Sequence, residues 1–450
     1  MTKLLKIEHW LGGFQWLFFL FTNTVVIPIT IGVAFQLPHE KLIPLIQFSF
    51  LFTGLASILQ ALFGHKRSIM EGQSGLWWGV ILSVSYAAPS QGLSLLEVGG
   101  SLSVGIVISG LITVVIGLSG LSQFISKWFT HGVMAVFMLL LAVRLNTIFL
   151  KGMLGIPFGA NSQTPQIDIP VFLLSSVVAA FVIIFSIKVS PTIGKYSLLI
   201  GIIGGWVLYS LLFDQEDALQ VTGGINFEFF PLGAPSFDAG LIILAVIAGL
   251  LNTSNTFGAL KGTEDIYQTK TSMKQYRLSF TISGLFVMIA GLFGMVPYAP
   301  YVSSIGFLNQ TKISDRLPFM IGGAIFMLMG VIPAISNMMA KLPLSIGSAV
   351  LFVTYLHLLQ SSLQYFAQIQ LTSANLYRLA VPLFVGICFM SFPSSYFESV
   401  PGILRPLVSS GLLVGILLSL IIENSQAKTS PEKKENKKDD FVKGGKIRKS

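Results

Sequence analysis

The sequence predicts an all-α polytopic membrane protein of about fourteen transmembrane segments, built as two inverted seven-segment repeats, with segments 3 and 10 each broken into a short extended piece and a half-helix. Three observations carry this expectation. The chain is 53% hydrophobic and only 10% charged, with mean hydropathy +0.77 over 450 residues, whereas a soluble domain is roughly 25% charged. Apolar runs of spanning length recur from Leu11 onward. Finally, Gly291 to Lys312, GLFGMVPYAPYVSSIGFLNQTK, follows such a run yet holds Pro297, Pro300, two adjacent serines and Gly306, so a continuous helix cannot pass through it.

The segments begin at about 11, 42, 69, 101, 131, 170, 196, 237, 278, 302, 317, 342, 378 and 403. The first run, Leu11 to Phe35, is too long for the apolar region of a signal peptide and reads as a span. Placement of cations tests the count, because short cytoplasmic loops carry the positive excess. With Lys3 and Lys6 inside, the inner turns hold His65-Lys66-Arg67, Lys127, Lys188 with Lys195, the group Lys261, Lys270, Lys274 and Arg277, Lys312 with Arg316, and Arg378. The longest outer loop, about Phe213 to Ser236, has Asp214, Glu216, Asp217 and Glu228 and no Lys or Arg, while Lys151 and Lys341 are exceptions on the outer side. Both termini are therefore expected in the cytoplasm of a cell-membrane protein.

Three regions follow: a cytoplasmic N-terminus over 1–10, a transporter domain over 11–423, and a basic tail over 424–450. The tail holds nine Lys/Arg against four Asp/Glu, a large part of the net charge of +9. It reads as a disordered segment beside anionic membrane lipid, and no nucleic-acid partner is needed to explain it. The single cysteine, Cys388, lies in the apolar run LFVGICFM and reads as a small buried hydrophobe. The five histidines fall near segment ends without clustering, so no metal and no cofactor is expected.

An odd-numbered unit repeated once must insert in opposite orientations, and matching irregular segments in two such halves are a pointer to a carrier site. Segment 1 contains Thr22-Asn23-Thr24, and its counterpart, segment 8, contains Asn252-Thr253-Ser254-Asn255-Thr256. Segment 3 starts Ile69-Met70-Glu71-Gly72-Gln73-Ser74-Gly75-Leu76-Trp77-Trp78 and corresponds to the broken segment 10. Ser74 and one of Ser303 or Ser304 stand where helix N-caps belong, which would aim two positive helix ends at one pocket. Gly72, Gly75 and Gly306 would let the backbone approach a flat ligand. Trp77 is placed either to stack on an aromatic ring or to pack with Trp78. Asn252 and Asn255 share a helix face and offer the donor and acceptor a nucleobase edge requires, although hydrogen bonding between helices is the competing use. Glu71 is a candidate for ion coupling, or else a partner for Arg67.

These residues resemble the nucleobase-ascorbate transporter family of uracil, xanthine and uric acid permeases. Its segment-10 signature is an acid or Gln, Asn, any residue, Gly, four residues, Thr, and a basic residue or Gly. Ser303-Ser304-Ile305-Gly306-Phe307-Leu308-Asn309-Gln310-Thr311-Lys312 keeps the Gly, Thr and Lys. Gly291-Leu292-Phe293-Gly294 with Pro297, Leu342-Pro343-Leu344, Glu71-Gly72-Gln73-Ser74 and Gln15-Trp16 extend the likeness over nearly all of residues 10–423, closest to the bacterial purine permease branch. The resemblance implies a core within 11–121 and 237–338, a gate within 131–213 and 342–423, a homodimer, elevator-like motion, and symport of a purine base with H+ or Na+. The residues expected to hold the base, from the breaks and helix faces above, are Gln73, Ser74, Gly75, Trp77, Asn252, Asn255, Ser303, Ser304 and Gly306. This chain lacks two glutamates typical of the family: no acid lies between Ala239 and Leu260, and the segment-10 position is Ser303. A pocket without those carboxylates suits an oxidised purine such as xanthine or urate. The alternatives are an anion carrier of the related sulfate-transporter architecture and a uracil permease. An enzyme is not expected, since the spans contain no paired acids and no nucleophile-base spacing.

Overall fold

The computed structural model describes residues 7–89, 92–122, 125, 127–156, 166–194, 197–213, 227–334, 341–397, 399–401 and 404–426. The acids at 214, 216 and 217, Lys3, Lys6, Lys195 and most of the basic tail lie outside these residues. The first half runs α1 (Ile7–Thr24), α2 (Val26–Ala34), α3 (His39–Leu62), β1 (Glu71–Gln73), α4 (Gly75–Ala87), α5 (Leu95–Ser119), α6 (His131–Met153), α7 (Ile169–Lys188) and α8 (Ser197–Leu212). The second runs α9 (Ala239–Gly262), α10 (Met273–Leu292), β2 (Tyr298–Pro300), α11 (Ser304–Thr311), α12 (Arg316–Val331), α13 (Leu344–Phe366), α14 (Ser373–Ser391) and α15 (Gly411–Gln426). Among the described residues, eight helical stretches are long and apolar enough to cross a membrane, and four more apolar helices are shorter.

Local chemistry sets many of the helix starts. Ser94, Thr130, Asp168, Asp238, Ser272 and Thr372 each accept a backbone N–H of the first turn, and Glu97 and Gln275 close capping boxes. Segment 4 starts at Leu95, earlier than the expected start near 101, because the Ser94–Glu97 capping box sets the helix start ahead of it. The last helix starts at Gly411 instead of near 403. A separate turn of helix, Arg405–Val408, precedes it, and Ser409-Ser410 divides the two.

The packing carries the internal symmetry. Pairing each element with its counterpart seven segments on maps α3 against α12 onto α10 against α5, and α1 against α12 onto α9 against α5. It likewise maps α8 against α7 onto α15 against α14, and α13 against α7 onto α6 against α14. The principal contacts thus fall into two groups, residues 7–119 with 239–331, and 131–212 with 344–426. Small residues allow the closest crossings: a Cβ on Gly54 would lie 2.4 Å from the Gly323 carbonyl oxygen, and one on Gly284 would lie 2.8 Å from that of Gly110. Away from these contacts, Leu173, Val177, Phe181 and Ile184 present an exposed apolar stripe on α7, suited to lipid. Cys388, expected to be buried, is exposed on the outer face of α14, where an apolar run faces outward instead of into the protein.

Turns assigned to the same side from their cations do meet. Gln275 Nε2 donates to the His65 carbonyl at 2.7 Å, and the Tyr267 hydroxyl donates to that of Ser314 at 2.9 Å. At the other end, Lys41 pairs with Glu228 at 2.7 Å and Ser236 Oγ donates to the Glu97 carbonyl at 2.7 Å. Within the first cluster, burial, followed by the neighbouring Arg67 charge, pushes the His65 imidazole down to about 3. An unfolded histidine titrates near 6.5, so between about 3 and 6.5 the unfolded chain binds the extra proton, and stability rises with pH across that window. The melting temperature in detergent is therefore expected to fall as pH drops below about 6.5. His65→Gln should flatten part of that slope.

At both places where the sequence marks a break, the chain runs as a three-residue strand before a helix. The strands pair antiparallel, with Glu71 opposite Pro300, Gly72 opposite Ala299 and Gln73 opposite Tyr298. The Ser74 N–H bonds the Pro297 carbonyl at 2.8 Å and the Tyr301 N–H bonds that of Met70 at 2.8 Å, so each strand satisfies the other's backbone deep inside the protein. Gly294 makes the preceding turn at φ 66°, with Pro231 2.7 Å from where a Cβ would stand. At the far end of α11, Lys312 caps the helix at φ 58° and Thr311 Oγ1 donates to the Phe307 carbonyl at 2.8 Å. A left-handed cap explains why glycine can alternate with a basic residue there. Lys312→Gly should keep thermal stability within a few tenths of a kcal/mol, and Lys312→Val should lower it by about 1 kcal/mol.

Candidate substrate cavity

Where the strand pair meets the second packing group, a cavity with about 80 Å3 of room for the centres of water-sized occupants opens between them. One wall comes from the junction itself: Ser74, Gly75, Asn255 and the run Ala299–Ser303. The other comes from Met138 and Leu141 of α6 and from Thr354, Tyr355, His357 and Ser361 of α13. No Lys or Arg is among its described lining residues.

A polar network fixes the first wall. Ser74 is the residue before α4 in extended geometry, but its hydroxyl makes no helix cap and donates to Asn252 Oδ1 at 2.6 Å. Asn252 Nδ2 donates to the Tyr298 carbonyl at 3.0 Å, and Asn255 Nδ2 donates to Asn252 Oδ1 at 3.0 Å. Asn252 is thereby committed to holding strand β2 against α9, while Asn255, one turn on, orients its own carbonyl without a described protein donor. The first N–H groups of α4 are left without a side-chain cap beside the cavity. At α11 the arrangement differs: the Ser304 and Ile305 N–H groups bond the Tyr301 and Val302 carbonyls, so that helix end is closed by its own turn.

The remaining candidates are placed as follows. Ser303 lines the cavity and is exposed; Ser304 is buried, its Oγ accepting the Met70 N–H at 3.1 Å. Gln73 is buried and donates to Ser49 Oγ at 2.9 Å, away from the lining. Gly75 lies at the wall, 3.4 Å from Tyr355 by its would-be Cβ, whereas Gly72 packs on Met70 and Tyr301 and Gly306 faces open space. Trp77 and Trp78 are both fully buried. Trp77 turns into a second, smaller cavity, and Trp78 donates to Thr30 Oγ1 at 2.8 Å and packs on Phe149. Packing between helices, not stacking in the main cavity, is the use this structure gives them.

Glu71 does not meet Arg67, whose guanidinium donates to the Leu260 and Thr269 carbonyls and to Thr263 Oγ1. Instead Glu71 is fully buried, accepting from Ser283 Oγ at 2.6 Å and Gln60 Nε2 at 3.1 Å. The aromatic rings at the cavity are Tyr301 and Tyr355, which the sequence reading did not select. Tyr301 stands inside the broken stretch, so proximity to the break could have pointed to it. Tyr355 sits in an uninterrupted apolar run and carries no local signal. Asn23, also in the lining, was visible only as the counterpart of the segment-8 asparagines.

A strand pair between inverted halves, beside a partly open cavity with serine, asparagine and tyrosine in its wall at the meeting of two helix groups, is the architecture of a membrane permease. The Permease family profile Xan_ur_permease matches residues 8–395, and the chain belongs to that family. It is 29% identical over 434 residues to "Putative purine permease YwdJ" of Bacillus subtilis, covering 92% of this chain and 95% of that one. It is 22% identical to "Uric acid transporter UacT" of Escherichia coli, over 91% of this chain and 84% of the other. The fold is that of the transmembrane domain of the cyanobacterial bicarbonate transporter BicA, at TM-score 0.60 and 14% identity, over 94% and 98% of the two chains.

Proposed function

We propose that this permease takes up purine bases, with oxidised purines such as xanthine and urate preferred, across the cell membrane. The observation that carries the proposal is the fixed Ser74–Asn252–Asn255 network beside two tyrosine rings in a cavity with no Lys or Arg among its described lining residues. A flat heteroaromatic ring uses both features, since Asn255 supplies an amide edge and Tyr301 and Tyr355 supply ring faces. A small inorganic anion would use neither and would meet no Lys or Arg among the described lining residues. The names of the relatives support the same class.

In this reading, residues 7–119 with 239–331 form a core that carries the base, and 131–212 with 344–426 form a gate against which it slides. Both termini are cytoplasmic, lipid covers the stripe on α7, and two copies associate as a homodimer. The test is uptake of labelled xanthine and urate into cells lacking their own base permeases. Competition by unlabelled purines, with none by sulfate or bicarbonate, is expected. Uracil uptake exceeding both purines would overturn the preference, and competition by sulfate alone would overturn the substrate class.

A further inference from the structure

Among the described residues, two carboxylates are buried, Glu71 and Glu423. Glu423 has its cation, with Arg378 Nε at 2.8 Å. Glu71 has none. Its surroundings are neutral on every side: Gln60 and Ser57 from α3, Ser283 and the Ser279 region from α10, and from β2 the Tyr298 hydroxyl, which shares a hydrogen bond with Thr53 at 3.2 Å. Ser57 Oγ also bonds both the N–H and the carbonyl of Glu71, so the backbone beneath the carboxyl is pinned.

Ser283 faces two ways. It bonds Glu71 and also lines the second cavity, with about 10 Å3 of room for the centre of a water-sized occupant, together with Ser109, Thr113, Thr253, Thr256, Asn252 and Trp77. Ser109 Oγ and Trp77 Nε1, both buried there, have no protein partner. Buried polar atoms of that kind call for an ordered water, and the space suits about one. Asn252 also lines this cavity and is the residue that Ser74 and Asn255 both bond at the main cavity. A polar route therefore runs from Glu71 through Ser283 and the second cavity to the wall of the proposed substrate site.

We infer that Glu71 is the proton-carrying group of this permease, loaded and unloaded through Ser283 and the second cavity. The inference rests on the purine-uptake reading. One proton binds the carboxylate from the outer side, making it a neutral acid, and leaves to the cytoplasm after the base is delivered; no other bond changes. The physical reason is that a core carrying an unpaired buried carboxylate resists movement through the membrane, and a neutral one does not. In the neutral form Ser283 Oγ can accept from the acid, so no group is stranded.

The test uses purified full-length protein in liposomes and follows two quantities, exchange of labelled xanthine at equal pH and its accumulation under an imposed inward proton gradient. Wild type should exchange and should accumulate about tenfold per pH unit at zero membrane potential. Glu71→Gln keeps the shape and neutral bonding of the acid. It should exchange within about twofold of wild type and accumulate nothing, a change the tenfold-per-unit relation makes easy to read. Ser283→Ala should exchange normally and shift the pH at which accumulation is half-maximal. Full accumulation by Glu71→Gln, or accumulation driven by sodium instead of protons, would overturn the inference while leaving the purine reading intact. Loss of exchange in Glu71→Gln would overturn it in favour of a structural carboxyl. Absence of any exchange in wild type would overturn both.

Discussion

Asn255→Leu is expected to cut purine uptake by roughly 10- to 100-fold, equivalent to about 1–3 kcal/mol of lost hydrogen bonding to the base. Protein yield and membrane insertion should not change. The expectation follows from where Asn255 stands in its network. It donates to Asn252 Oδ1 at 3.0 Å, but Asn252 keeps its bonds to Ser74 and Tyr298 without it. What disappears is the amide carbonyl at the cavity wall. Asn252→Leu makes the contrast, because it would strand the Ser74 hydroxyl and the Tyr298 carbonyl in the interior and should cost stability as well. Equilibrium binding and thermal melts on both variants separate the two roles. Normal uptake by Asn255→Leu would place the substrate elsewhere.

The second large effect concerns the fold. Gly54→Val and Gly284→Val should each abolish recovery of folded, monodisperse protein, because they act at symmetry-related crossings. A Cβ at Gly54 would stand 2.4 Å from the Gly323 oxygen and 2.8 Å from the Met327 nitrogen; at Gly284 it would stand 2.7 Å from the Val114 nitrogen. The opposing atoms are backbone, so no rotamer change relieves the clash, and the helices must separate. The cost should exceed the roughly 1–3 kcal/mol of ordinary overpacking. Gly204→Val, where a Cβ would meet nothing within 4 Å, is the control and should behave as wild type in size-exclusion chromatography after heating. Equal behaviour of all three variants would contradict the packing described for the two repeats.

Much of the fold was readable because membrane segments obey few rules. Long apolar runs, the alternation of basic turns with turns poor in Lys and Arg, and the paired breaks with Pro297 and Pro300 place most elements without reference to partners. Boundaries set by a single side chain were less visible, as at Ser94, whose cap with Glu97 starts α5 at Leu95. The site was partly readable for a related reason. Ser74 and Asn255 stood out as polar residues in apolar surroundings, and both line the cavity. Direction was not readable. Trp77 and Gln73 flank Ser74 in sequence but turn away from the main cavity, since the rotation of α4 is set by its packing on α6 and α9. Ser304 serves the strand-to-helix junction by accepting the Met70 N–H, and its neighbour Ser303 takes the exposed position. Tyr355 comes from the other packing group, and no pattern local to its segment marks it.

Protection of Ser303 tests the central claim most directly. In a Cys388→Ser background, which removes the one native cysteine, single cysteines are placed at Ser303, in the cavity wall, and at Gly306, exposed and open in the helix that follows it. Saturating xanthine or urate should slow maleimide labelling of Ser303→Cys by about tenfold or more, as occupancy of a site well above its Kd requires. Labelling of Gly306→Cys should not change. Equal labelling rates at Ser303→Cys with and without purine, in protein that still binds the base, would contradict the placement of the substrate between the two helix groups.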